Sequence, residues 1–173
     1  MLIFGHIGVT VGIFILLERI VPSLRGRFAY FYIALGALLP DLLDKPIGRV
    51  IFAESIANGR LLGHTLAFCF FIALLGYYQY GKSKDIRVFL VSGACFLHLL
   101  EDRMWATPHV FFWPVFGWEF PVGSYTGNVF DYFIKMFRIG YVPSLCPCFI
   151  TEFIGFIIAA FILGNYLRHR RAL

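Results

Sequence analysis

Long apolar runs alternate with short polar joints along this chain, and the polar residues recur at the ends of the runs. Five segments stand out, at 2–17, 30–43, 61–80, 86–100 and 149–167. Runs near 20 residues cross a hydrocarbon core as helices. The pattern therefore predicts an all-α integral membrane protein, a bundle of about five transmembrane helices in a single domain over 1–173. The second and fourth runs reach spanning length only if their polar ends, Asp41 and Asp44 in one and His98 with Asp102 in the other, lie at membrane depth facing protein.

Two stretches break the pattern. Residues 45–59 mix Pro46, Gly48 and charged positions, which predicts a short interfacial helix or re-entrant piece. Residues 107–145 are rich in aromatics, Gly and Pro, including Phe111-Phe112-Trp113-Pro114 and Trp118. Trp and Tyr favour the headgroup level, so this stretch is predicted to lie along the membrane surface. Within it, 128–137 reads as an amphipathic surface helix with Asp131 and Lys135 one turn apart. In the first segment Gly8 and Gly12 have the GxxxG spacing that permits close helix approach.

Composition agrees with the pattern: the chain is 60% hydrophobic and 14% charged, with a mean hydropathy of +0.78, where a soluble domain carries about 25% charge. The net charge of +5 sits in short clusters between apolar runs rather than in one patch, which excludes a nucleic-acid surface. Arg19, Arg25, Arg27, Lys82, Lys84, Arg87, Arg168, Arg170 and Arg171 fall on one side of the predicted bundle. Lys45, Arg49, Arg60, Arg103, Lys135 and Arg138 fall on the other, spread over longer loops. The positive-inside rule makes the first side cytoplasmic, with the N-terminus outside and the C-terminus inside.

The candidate chemistry lies on the opposite, outer face. His6 begins the first segment, Asp41 and Asp44 end the second, His64 begins the third, and His98 and Asp102 end the fourth. Ionisable groups at membrane depth cost about 2.5–3.5 kcal/mol each on insertion scales, which marks function or internal pairing. His98 and Asp102 are one turn apart, and Asp41 and Asp44 are three apart, so each pair shares a helix face. Imidazole with carboxylate suits Zn, Mn or Fe(II), and the number of donors admits one ion or two. Each residue alone also fits a cap, a solvated helix end or an ion pair; the shared face is what those readings leave unexplained. His109 and His169 have no acidic company and read as interfacial. Cys69 and Cys95 read as small buried hydrophobes, and the Cys146/Cys148 pair is weak as a ligand motif.

The blocks LLPDLLDKPIG, NGRLLGHT and HLLEDRMWATPHVFFWPVFG, in that order after His6, resemble the YdjM-like family of membrane-bound, metal-dependent hydrolases. The resemblance covers roughly residues 5–118. It implies His6, Asp41, His64, His98 and Asp102 as metal ligands, Asp44 and Arg60 as catalytic residues, and a divalent metal, zinc foremost, as cofactor. Two positions depart from the family pattern: Lys45 and Gly59 stand where histidines are often found. The resemblance further implies a prokaryotic cell membrane and a phosphoester or lipid-linked substrate. On that expectation Asp44 acts as general base or bridges a second metal. Arg60, with Arg103, neutralises an anionic group, and the 111–118 segment helps admit a lipid head. The competing class is a non-enzymatic membrane protein, a metal or proton carrier or a scaffold. A carrier needs polar residues along a path to both faces, and the inner halves of the segments carry little beyond Glu18 and Arg19.

Overall fold

All five apolar segments are helical in the computed structural model, which describes residues 1–123 and 129–171. The described residues form seven α-helices and no strand: α1 Ile3–Ile20, α2 Tyr30–Pro46, α3 Leu66–Ser83, α4 Arg87–Glu101, α5 Pro108–Phe111, α6 Val129–Tyr141 and α7 Pro147–Arg171. Asn128, expected to begin the surface helix, lies outside the described residues. The third segment starts later than its hydropathy suggests. Leu62–His64 is a tight 3-10 turn, and α3 begins only after Thr65, whose hydroxyl accepts from Phe68 N at 3.0 Å. That cap satisfies one of the orphan amides of the first turn.

Helix α2 continues through Pro40 to Pro46 and passes into a π-helical turn, Ile47–Ile51. Pro40 has no N–H to give to the carbonyl four residues back. That carbonyl, Gly36 O, accepts the Cys95 thiol of α4 at 3.3 Å instead. One residue on, Ala37 O accepts His98 Nδ1 at 2.7 Å. A proline inside an apolar helix is thus matched by side-chain donors from its neighbour, as hydrocarbon surroundings require.

Helix α4 is the centre of the bundle, packed on α2 and α3, while α1 pairs with α7 and touches α2. The α1–α7 crossing is close because it is made by glycines. A Cβ on Gly8 would stand 2.1 Å from Gly155 O, and one on Gly155 would stand 2.2 Å from Phe4 O. The second glycine of the predicted motif, Gly12, faces Ile158 at ordinary contact distance. At the start of α1, Glu152 of α7 accepts from the backbone amides of Leu2, Phe4 and Gly5 at 2.5, 3.0 and 3.0 Å. A carboxylate at a helix N-terminus pairs orphan amides and complements the dipole, and here it replaces the missing side-chain cap. Tyr141 of α6 donates to the same carboxylate at 3.3 Å. Burial and the Glu152 charge push its phenol up to about 12, so it keeps its proton.

Among the described residues two helices, α1 and α7, are long and apolar enough to cross a membrane, with windows of hydropathy 1.7 and 2.1. The more apolar of these windows is only 11% buried, the reverse of a soluble core helix. Helix α3 exposes Phe70, Phe71, Leu74, Leu75, Tyr77 and Tyr78, but its last turns, Tyr77–Ser83, are polar. Helices α2 and α4 have 17 and 15 residues, roughly 25 and 22 Å at 1.5 Å per residue, shorter than a hydrocarbon core of about 30 Å. The expectation of five full spans is therefore met in length and hydropathy by two helices.

The expected surface helix is present as α6. It exposes Phe130, Phe133, Ile134 and Phe137, while Gly140 packs on Leu2 and Tyr132 lies 4.9 Å under the Arg49 guanidinium.

Replacing Gly8 by Leu forces α1 and α7 apart and lowers the thermal unfolding midpoint in detergent, a loss of about 1–3 kcal/mol on overpacking precedents. Gly164→Leu, where no atom lies within 4 Å of a new Cβ, leaves the midpoint within a degree or two of the wild type.

Candidate metal centre

Four of the long helices deliver a histidine or carboxylate to one end of the bundle. His6 comes from the first turns of α1, Asp41 and Asp44 from the end of α2, His64 from the turn before α3, and His98 with Asp102 from the end of α4. The three imidazoles are fully buried. The His6 and His98 rings stack with centroids 3.9 Å apart, and His64 meets His98 edge to face at 5.2 Å.

Each imidazole is tied at Nδ1. His98 Nδ1 meets Ala37 O, and a carbonyl oxygen can only accept, so Nδ1 carries the hydrogen. His64 Nδ1 lies 2.8 Å from Asp44 Oδ2. His6 Nδ1 lies 2.7 Å from Glu101 Oε2, whose other oxygen accepts the Thr10 hydroxyl at 2.9 Å. Outer partners of this kind fix tautomer and ring orientation in metal sites. With all three Nδ1 atoms donating, each neutral ring presents a bare lone pair at Nε2.

Those lone pairs face one another and the carboxylates. His64 Nε2 is 3.3 Å from His98 Nε2, and Asp41 Oδ1 is 3.6 and 4.0 Å from the two. His6 Nε2 makes no hydrogen bond, although Asp102 Oδ1 is 3.3 Å away. Acceptors crowded in a buried space repel unless a cation sits among them, so the donor set fits a metal. Two groups have ligand atoms mutually within 4.8 Å: His6, His98 and Asp102, and Asp41, His64 and His98. Both use His98, which has one free nitrogen to give.

The remaining charges hold the two carboxylates. Asp41 Oδ2 is 2.5 Å from Lys45 Nζ. Asp102 Oδ2 accepts from Arg60 Nη2 at 3.1 Å, and its Oδ1 is 2.6 Å from the Met1 ammonium.

Asp44 is held by the turn before α3. It is buried, and its Oδ2 accepts from Leu61 N at 2.6 Å, His64 N at 3.1 Å and the His64 ring. Its Oδ1 accepts from Gly63 N at 2.9 Å. Four donors from the turn that carries His64 engage its two oxygens, so this carboxylate holds that turn and positions the His64 ring. Asp102 lies just past α4 as its C-cap, still one turn from His98. Arg103 is exposed at a positive φ of 53° and makes no ion pair with the cluster. His109 lies apart, against Phe116, and the side chain of His169 lies outside the described residues.

Glu101 and Glu152 were not singled out from the sequence. Glu152 had a signal, being the lone acid inside the last apolar run. Glu101, beside Asp102, had none. The 107–123 stretch ends near the site, because Asn58 Nδ2 donates to Pro121 O at 2.7 Å and Gly123 N to Ile56 O at 2.8 Å.

Helices suited to lipid on their outer faces, folded around a buried imidazole–carboxylate cluster at one end, define the class as a helical membrane protein. The chain belongs to the YdjM inner membrane protein family, whose model matches residues 1–171. No curated protein and no solved structure matches it.

Asp44→Asn turns an amide toward donors and removes the charge they share. It destabilises the fold by about 3 kcal/mol, the upper range for hydrogen bonds to a charged group, read as a drop in the thermal midpoint. An unchanged midpoint contradicts the positioning role.

Proposed function

We propose that this chain is a membrane-embedded, metal-dependent hydrolase acting on a phosphoester or lipid-linked substrate at the outer face. The observation that carries the reading is the set of three imidazoles whose Nε2 lone pairs converge with Asp41 and Asp102 in a buried space. Nitrogen and oxygen donors favour zinc, then Mn or Fe(II). His98 has a single free nitrogen, so the two groups would not each hold an ion through it. Bound there, a divalent ion supplies Lewis acidity and lowers the pKa of a water toward about 7.

The chain's own residues do the rest. Ala37 O, Asp44 and Glu101 keep Nδ1 of the three imidazoles protonated and Nε2 free. Asp41, at the edge of the cluster with its side chain 13% exposed, is the carboxylate best reached by substrate and takes the proton role first expected of Asp44. Arg60, 42% exposed beside Asp102, neutralises an anionic group on the substrate.

The membrane arrangement follows the alternation of ends. Five helices cross, the short α2 and α4 sitting among their neighbours, with the N-terminus and the site outside and the C-terminus in the cytoplasm. The carrier reading is disfavoured by the core below the cluster, where Val11, Phe14, Ile33, Leu90 and Ala94 form an apolar plug. Toward the other end Glu18 is engaged by Tyr30 and by Phe28 N.

Elemental analysis of protein purified without chelators is expected to find one divalent transition metal per chain, lost in His98→Ala and Asp102→Ala. A metal-free wild type supports the scaffold reading instead. Release of phosphate or headgroup from lipid vesicles by the loaded protein, absent in His98→Ala, tests hydrolysis. A C-terminal fluorescent-protein fusion is expected to mature in the cytoplasm; fluorescence only from an N-terminal fusion reverses the orientation.

A further inference from the structure

We propose that Lys45 and Arg60 are the two jaws of an anion clamp over the cluster, and that the group they take is a terminal phosphate. This rests on the metal reading above and adds to it the recognised group and the part played by Lys45.

Both carboxylates that face the imidazoles turn their second oxygen outward to a cation. Asp41 points Oδ1 at His64 and His98 and gives Oδ2 to Lys45 Nζ at 2.5 Å. Asp102 turns Oδ1 to His6 and to the Met1 ammonium and gives Oδ2 to Arg60 Nη2 at 3.1 Å. Each basic group therefore stands one carboxylate behind a proposed ligand atom. The two arise from adjoining backbone. A Cβ on Gly59, the residue before Arg60, would stand 3.5 Å from Lys45 Cγ and 3.6 Å from Arg49 Nε. A side chain at position 59 would press on Lys45 and Arg49.

Burial separates the roles. The imidazoles are sealed, whereas the Lys45 and Arg60 side chains are 28% and 42% exposed. An ammonium has three donors and a guanidinium five, and the bonds to Asp41 and Asp102 use only part of them. The remaining donors belong to side chains that solvent reaches, unlike the imidazoles. A neutral ester leaves them unused. A carboxylate has two oxygens, too few for two jaws and the buried cluster together. A terminal phosphate has three and meets all of them, with the guanidinium fork suited to its geometry.

The test uses full-length protein in nanodiscs, zinc-loaded and titrated with inorganic phosphate by calorimetry, with metal content measured on every sample. The wild type is expected to bind phosphate only when loaded, and acetate far more weakly. Lys45→Gln keeps its metal and weakens phosphate by about tenfold or more, the loss of one charged hydrogen bond, and Lys45→Arg restores most of it. Arg60→Gln, read the same way, tests the second jaw separately. Phosphate affinity unchanged in Lys45→Gln with metal retained overturns the clamp and leaves the metal reading standing. A wild type that holds no metal overturns both. Competition by phosphatidic acid in the nanodisc, against glycerol 3-phosphate in solution, assigns the source. Either competitor displacing phosphate supports the terminal-phosphate class, and neither doing so overturns it.

Discussion

The account depends on three imidazoles that are each held at Nδ1 by an acceptor with no alternative. A backbone carbonyl, a carboxylate pinned by three amides and a carboxylate shared with Thr10 fix the rings of His98, His64 and His6. Once those tautomers are fixed, the inner edges of the rings are all acceptors, set against the oxygens of Asp41 and Asp102. Such an arrangement is poor as a hydrophobic core and poor as an ion pair. It is apt for a cation, and the exclusion of water that makes it unfavourable when empty is what strengthens binding when filled.

The helices are disposed so that this end is rigid. Short α2 and α4 bring their C-terminal ends together; the Gly36 carbonyl that Pro40 leaves without a helical donor takes the Cys95 thiol, and the next carbonyl, Ala37 O, orients His98. Glu152 ties the start of α1, and so His6, to α7, while the Gly8–Gly155 contact keeps those two helices at near-backbone distance. Farther along the bundle the same helices meet through Val11, Phe14, Ile33 and Leu90, an ordinary apolar packing. The buried imidazoles and their carboxylates gather at one end, and apolar packing separates them from Glu18 toward the other.

Much of this was legible because lipid-facing sequences are so apolar that a misplaced His or Asp is conspicuous. The five helical segments, the surface helix and the meeting of His6, Asp41, His64, His98 and Asp102 all followed from spacing and segment ends. What spacing does not convey is which carboxylate faces inward. Asp41 and Asp44 share a face of α2, and only the return of residues 61–64 over the end of that helix engages Asp44 while leaving Asp41 Oδ1 toward the cluster. Glu101 was masked by its neighbour Asp102, since adjacent acids at a helix end read as solvated. Glu152 was overlooked although the cost of an acid within an apolar run marks it, and its partners are backbone amides that no side-chain pattern displays. Among the described residues only α1 and α7 have the length and hydropathy of a full span, because α3 loses its apolar character in its last turns and α2 and α4 are short.

X-ray absorption of the zinc-loaded protein addresses the central claim most directly. The account predicts a first shell with three imidazole nitrogens at about 2.0–2.1 Å and carboxylate oxygen at about 2.0–2.2 Å. A shell of oxygen alone, or one containing sulfur from Cys146 or Cys148 in place of imidazole, would contradict it.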